Sequence, residues 1–175
     1  MPEVDVNFQI IAPIVTLAVA ALIVVVLDLI LPAGRVRRPL VLVTAAGIAL
    51  AGWYAYDLWQ AVPAPGSPPD WSVTAGDVTT GLTGFLGAVI ADRFGILFGG
   101  MALAAALAAV GLSVRREEED VSGYYALVLL ATAGMVLLAG AGSLITMFLG
   151  VELLSLALYV VVGFRPNDVR GKEGA

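Results

Sequence analysis

Cysteine and histidine are absent from the 175 residues, and lysine occurs once, at Lys172. Without thiols or imidazoles the chain can build no disulfide framework, no imidazole-held haem or zinc, and no Ser-His or Cys-His nucleophile pair. Charge is scarce as well: 13% of residues are charged, and nine Lys and Arg against fourteen Asp and Glu leave a net charge of −5. That balance offers no basic surface to a phosphate backbone, which excludes nucleic-acid binding. Apolar residues fill the chain instead. They make up 60% of it, and the mean hydropathy of +0.97 lies outside the range of water-soluble domains. The chemistry left is that of carboxylates, a few hydroxyls and lipid-facing helices.

A hydrocarbon core about 30 Å thick takes about 20 apolar residues of helix. Ile10–Leu31, with Asp28 near its far end, Leu40–Trp59, with Asp57, and Phe94–Val114, with no charge, each fit that length. Val121–Phe164 holds Glu152 as its only charge. As one helix it would be about 66 Å long at about 1.5 Å per residue, so it must fold back. Its one cluster of small, helix-weak residues is Gly140-Ala141-Gly142-Ser143. A tight turn there gives spans of Tyr124–Ala139 and Leu144–Phe164. The expected fold is therefore all-α, a polytopic membrane bundle of about five transmembrane helices forming a single membrane domain over 1–175. Met1–Gln9 carries Glu3 and Asp5 and no cation, so the first span reads as a membrane helix rather than a cleaved signal peptide.

Cations stay on the cytoplasmic side of short membrane loops. Five spans put Arg35, Arg37, Arg38, Arg115, Arg116, Arg165, Arg170 and Lys172 on one face and Arg93 alone on the other. With four spans and a re-entrant last segment the same residues would divide five against four. Five spans, with the N-terminus outside and the C-terminus inside, is the expectation. The long outside loop 61–93 begins with Pro63-Ala64-Pro65-Gly66-Ser67-Pro68-Pro69, which reads as a surface linker. Its later part, Leu82–Ile90, is apolar but too short to span, and is expected as an interfacial strand or short helix against the bundle. Trp53, Tyr54, Tyr56, Trp59 and Trp71 around this end read as an aromatic belt.

Small residues at four-residue spacing, Gly95 and Gly99, then Gly100, Ala104 and Ala108, read as close packing between helices. The run Arg115-Arg116-Glu117-Glu118-Glu119-Asp120 reads as a solvated turn. Adjacent carboxylates do not converge on one ion without a loop scaffold, so no metal site is expected.

Glu152 stands apart. It lies near the middle of the fifth span, where a charged side chain costs several kcal/mol. Helical spacing puts Ser155 at i+3 and Tyr159 at i+7 on the same stripe. A desolvated carboxyl flanked by hydroxyls that can hold water is a candidate proton-exchanging group, with Ser155 and Tyr159 in support. A Glu that stays protonated and only hydrogen-bonds across helices is the bland alternative. Asp28 and Asp57 sit close to span ends and read as interfacial.

The string Phe148-Leu149-Gly150-Val151-Glu152-Leu153-Leu154-Ser155-Leu156-Ala157-Leu158-Tyr159, followed by Gly163-Phe164-Arg165, resembles the fifth helix of the antiporter-like membrane subunits of respiratory complex I, most closely the subunit N branch of that family. Tyr124-Tyr125-Ala126-Leu127 with Ala133-Gly134-Met135 resembles the family's fourth helix, and Asp92-Arg93-Phe94 the start of its third. The resemblance implies a membrane subunit of a redox-driven proton pump, a proton-translocating NADH-quinone oxidoreductase, multi-pass in a cell inner or plasma membrane. Glu152 matches the glutamate of the proton path. No redox centre is expected in this chain, which has no Gly-rich βαβ fingerprint and no cluster-ligating Cys. Quinone, NADH, FMN and iron–sulfur clusters are expected in partner subunits, and the partners implied are the other membrane subunits of the complex and the lipid bilayer.

Family members have about fourteen helices, including two inverted repeats of five. Their glutamate works against a lysine on the seventh helix, which has no counterpart here. The chain is accordingly expected to be the N-terminal third of such a subunit, truncated or from a split gene. Two other classes stay open: a small autonomous proton-coupled transporter or a subunit of a multisubunit cation/proton antiporter, and an assembly partner without a transport role.

Overall fold

The computed structural model describes residues 8–30, 37–62, 82–113 and 121–163. These form α1 (Phe8–Ile30), α2 (Arg37–Ala61), β1 (Leu82–Gly84), β2 (Val89–Ala91), α3 (Arg93–Ser113), α4 (Val121–Ala139) and α5 (Leu144–Gly163). All five helices are long and apolar enough to cross a membrane. The all-α polytopic bundle expected from the sequence is the fold observed. α4 begins at Val121, a turn earlier than the expected Tyr124, with Ser122 buried in the bundle rather than solvated. The break between α4 and α5 falls on Gly140–Ser143. Trp71, the proline-rich linker, the acidic run and all the cations except Arg38, Arg93 and the backbone of Arg37 lie outside the described residues.

α4 is the hub, packing against α1, α2, α3 and α5, whereas α5 packs principally against α4. Small and hydroxylated side chains let α4 be covered on many sides. Tyr125, Ala126, Leu129, Ala131, Thr132 and Ala133 are all buried, alongside Leu17, Val24, Leu40 and Val110 from its neighbours. The buried hydroxyls are satisfied locally, Thr44 donating to Leu40 O at 2.8 Å and Thr132 to Val128 O at 2.6 Å. This back-bonding keeps polar groups paired where no water competes. The Tyr125 hydroxyl, fully buried, pairs with Ser113 Oγ at 2.9 Å and ties the end of α3 to the start of α4.

The apolar segment Leu82–Ile90 is a β-hairpin, Leu82 opposite Ala91 and Gly84 opposite Val89. Its tip runs through three left-handed residues, Phe85 (φ 53°), Leu86 (φ 59°) and Gly87 (φ 80°). Left-handed backbone costs a bulky residue about 1–2 kcal/mol. Phe85 is held there by an edge-on contact with Phe8 of α1, ring centroids 6.3 Å apart. Val89 and Ala91 bury themselves with Ile10 of α1 and Leu58 of α2.

The two stripes of small residues diverge. Gly95 and Gly99 are buried against α4, where a Cβ at Gly95 would lie 2.6 Å from Ala139 O. Gly100 meets nothing within 4 Å, and Ala104 and Ala108 are exposed. Only the first stripe packs within the described chain.

Candidate functional site

α5 is started by Ser143, whose Oγ accepts from Thr146 N at 3.2 Å and pairs with Thr146 Oγ1 at 2.9 Å. Thr146, Gly150 and Ala157 form its buried face. The approach to α4 is close because both helices present glycine at the crossing. A Cβ at Gly150 would sit 2.9 Å from Leu138 N, and one at Gly134 2.8 Å from Leu154 N. This is the small-residue packing that draws helices together in lipid, where apolar burial gives no driving force.

Two residues beyond Gly150, about 200° around the helix at about 100° per residue, stands Glu152. It is the ninth residue of the twenty in α5 and lies on the helix's exposed side. Tyr159 follows on the same side, 60% exposed, among Phe148, Leu149, Val151, Leu156 and Val160. Ser155 is half-buried, and its Oγ donates to Val151 O at 2.7 Å. The structure thus puts Glu152, Ser155 and Tyr159 along one side of α5 without joining them, the serine hydroxyl being turned to its own helix. Among the described residues α4, the element packed against α5, carries no charged side chain. Asp28 and Asp57 are exposed, three residues from the last of α1 and five from the last of α2 counted inclusively. Among the described residues no three acidic side chains gather in a way that could hold a metal ion.

The end of the bundle at the α4–α5 turn holds contacts that sequence reasoning missed. Asp92 Oδ1 accepts from Gly95 N at 2.6 Å, capping α3, and Arg93 follows it. The Arg93 guanidinium lies 4.9 Å from the centroid of the Trp59 ring, and its Nη2 donates to Val62 O at 3.3 Å. Its Nε is buried without a hydrogen-bond partner among the described residues. Trp59 is therefore bound into the fold by a cation–π contact, while Trp53, Tyr54 and Tyr56 are exposed as belt residues should be. The Asx cap was legible as Asp92 three residues before Gly95.

No family model matches the chain. It is 41% identical over 172 residues to "NADH-quinone oxidoreductase subunit N 1" of Symbiobacterium thermophilum, covering 98% of this chain and 32% of that protein. It is 37% identical over 166 residues to the protein of the same name from Koribacter versatilis, covering 93% and 30% respectively. With "NADH-quinone oxidoreductase subunit N" of Trichlorobacter lovleyi the identity is 30% over 171 residues, 96% of this chain and 31% of the relative. The chain spans about a third of the length of these curated relatives. Over nearly all of its own length, it corresponds to the N-terminal part of the NADH-quinone oxidoreductase subunit N proteins.

Proposed function

We propose that the chain forms part of the membrane arm of a proton-translocating NADH-quinone oxidoreductase and contributes a proton-exchanging carboxyl, Glu152, to its path. The similarity to subunit N supports the setting. The observation that carries the role is Glu152 itself: mid-helix, alone in charge, on a side of α5 that no described element covers. An ionised carboxyl facing lipid there is too costly to persist without a partner. Helices of the same assembly that supply a counter-charge or water let it take up and release a proton at its carboxyl oxygens. Tyr159, along the same side, holds water beside it, while Ser155 Oγ, its proton given to Val151 O, can only accept from that water. Electron transfer belongs to partner subunits carrying the flavin, the iron–sulfur clusters and the quinone, with this chain holding no redox centre. The membrane is the cell's inner or plasma membrane, with the N-terminus outside and the cationic loops inside.

Glu152→Gln in the complete subunit, assembled in its complex, tests this reading. The amide keeps the volume and a hydrogen-bonding head but cannot exchange a proton. Complex abundance should stay normal while protons moved per electron fall clearly below the unsubstituted value. Glu152→Asp should retain more. Undiminished pumping by Glu152→Gln at normal abundance overturns the role. Reporter fusions after Arg38, Pro69, Arg116 and Lys172 should read inside, outside, inside and inside, and an outside tail overturns the topology.

A further inference from the structure

α5 carries Glu152 yet packs principally on α4. One other structure grips its start. β2 of the hairpin pairs with the α4–α5 turn: Val89 lies opposite Ala141, Ile90 N donates to Gly140 O at 2.8 Å, and Gly142 N donates to Ala88 O at 3.0 Å. The turn is seated with no slack. A Cβ at Gly142 would overlap Gly87 O and approach Ile90 Cγ1 to 2.7 Å, and one at Gly140 would lie 3.1 Å from Ile90 O. The hairpin is itself fixed to the rest of the bundle through Phe8, Ile10 and Leu58, and it runs through Asp92 directly into α3.

From this arrangement we infer that the Leu82–Ala91 hairpin is a positioning element for Glu152, setting the axial and rotational seat of α5, together with the Gly134–Gly150 crossing, through its backbone clasp on Gly140 and Gly142. The inference rests on the proton-exchanging role proposed for that carboxyl. Ser143, the next residue, is the cap of α5, and Glu152 follows nine residues later, about 13.5 Å along a rigid helix at about 1.5 Å per residue. A displacement at the clasp is carried along that length because the helix is stiff, and it is felt at Glu152 as a tilt or turn about the Gly134–Gly150 crossing. What moves is the depth and direction of the carboxyl, hence its solvation. The clasp touches no proton itself; Gly140, Gly142 and the hairpin act through Glu152.

The test reads the carboxyl directly. A lipid-soluble carbodiimide reacts with a protonated carboxyl, so the pH of half-maximal labelling of Glu152, located by peptide mass spectrometry in the complete subunit assembled in its complex, reports its surroundings. Among the described residues the helix packed against α5, α4, carries no charged group, and its two tyrosines, Tyr124 and Tyr125, lie at the far end of that helix from the α4–α5 turn. Gly142→Ala should shift the half-labelling pH by about half a unit or more, because the methyl meets backbone and the turn must move. Gly140→Ala, a milder wedge, should shift it less in the same direction, and it carries the test if Gly142→Ala does not insert. Gly100→Ala, where nothing lies within 4 Å, should leave it unchanged. An unshifted half-labelling pH in whichever clasp variants insert overturns the positioning role. The absence of any titration of Glu152 in the unsubstituted, assembled complex overturns instead the proton-exchanging role on which it rests.

Discussion

α4 and α5 are successive helices of nearly equal length, 19 and 20 residues, and both are strongly apolar, yet 44% of the residues in the most apolar stretch of α4 are buried against 17% in that of α5. Hydropathy does not distinguish them. Residue size does. α4 offers Ala126, Ala131, Ala133 and Gly134 to its neighbours, whereas the outer side of α5 is Phe148, Leu149, Val151, Leu156 and Val160. In lipid a leucine gains little by touching another leucine instead of an acyl chain, so close backbone approach selects which sides pair. The one charge of the pair of helices stands on the bulky, unpaired side.

The comparison breaks most sharply at the α4–α5 crossing. Gly134→Val places a branched side chain where a Cβ already lies 2.8 Å from Leu154 N and 3.0 Å from Gly150 O. Backbone cannot give way as a side chain can, so the helices must part. Thermal unfolding of the chain in detergent should show a loss of about 3 kcal/mol or more. A loss below about 1 kcal/mol would mean that α5 is not seated on α4 through this contact. Next in size is Gly95→Ala, at the α3–α4 contact. Its methyl meets Ala139 O at 2.6 Å and the Asp92 cap at 2.8 Å, so the same measurement should fall by about 1–3 kcal/mol.

A smaller effect comes from Tyr125→Phe, which deletes the buried hydroxyl paired with Ser113. Ser113 Oγ also bonds Val110 O at 2.7 Å, so it is not left orphaned. Interhelical hydrogen bonds in membranes contribute about 0.6 kcal/mol on average and rarely more than about 1.7. The expected loss is about 1 kcal/mol, and no measurable loss would show that the tyrosine is held by packing alone.

Those sites were unequally legible in the sequence. Five apolar spans and the Gly140–Ser143 reversal follow from lengths that a bilayer imposes on any helix, and Glu152 declares itself because a charge at that depth is costly. The hairpin was legible only as a short apolar segment. Phe85-Leu86 is a poor turn signature, its left-handed backbone being held by Phe8, a residue far away in sequence. Pairing of β2 with Ala141 joins segments about fifty residues apart, and no local pattern carries it. Ser155 illustrates a third kind of loss. Spacing puts it on the Glu152 side, but a serine in a helix can satisfy its hydroxyl on its own backbone, and here it does.

The smallest expected effect is at the second small-residue stripe. Gly95 and Gly99 have the same spacing as Gly100, Ala104 and Ala108, yet the first pair lies against α4 and the second set is open, with nothing within 4 Å of a Cβ at Gly100. In a water-soluble helix Gly→Ala in such an open position gains about 0.5–1 kcal/mol, chiefly because the unfolded chain has fewer conformations to lose. That gain shrinks in a membrane, where backbone groups must stay bonded within the segment and the dissociated helix remains a helix. Gly100→Ala should therefore move the unfolding free energy in detergent by less than about 0.5 kcal/mol, against the loss of about 1–3 kcal/mol at Gly95. A large loss at Gly100 would mean that α3 turns its other side to α4, and the assignment of the two stripes would have to be exchanged.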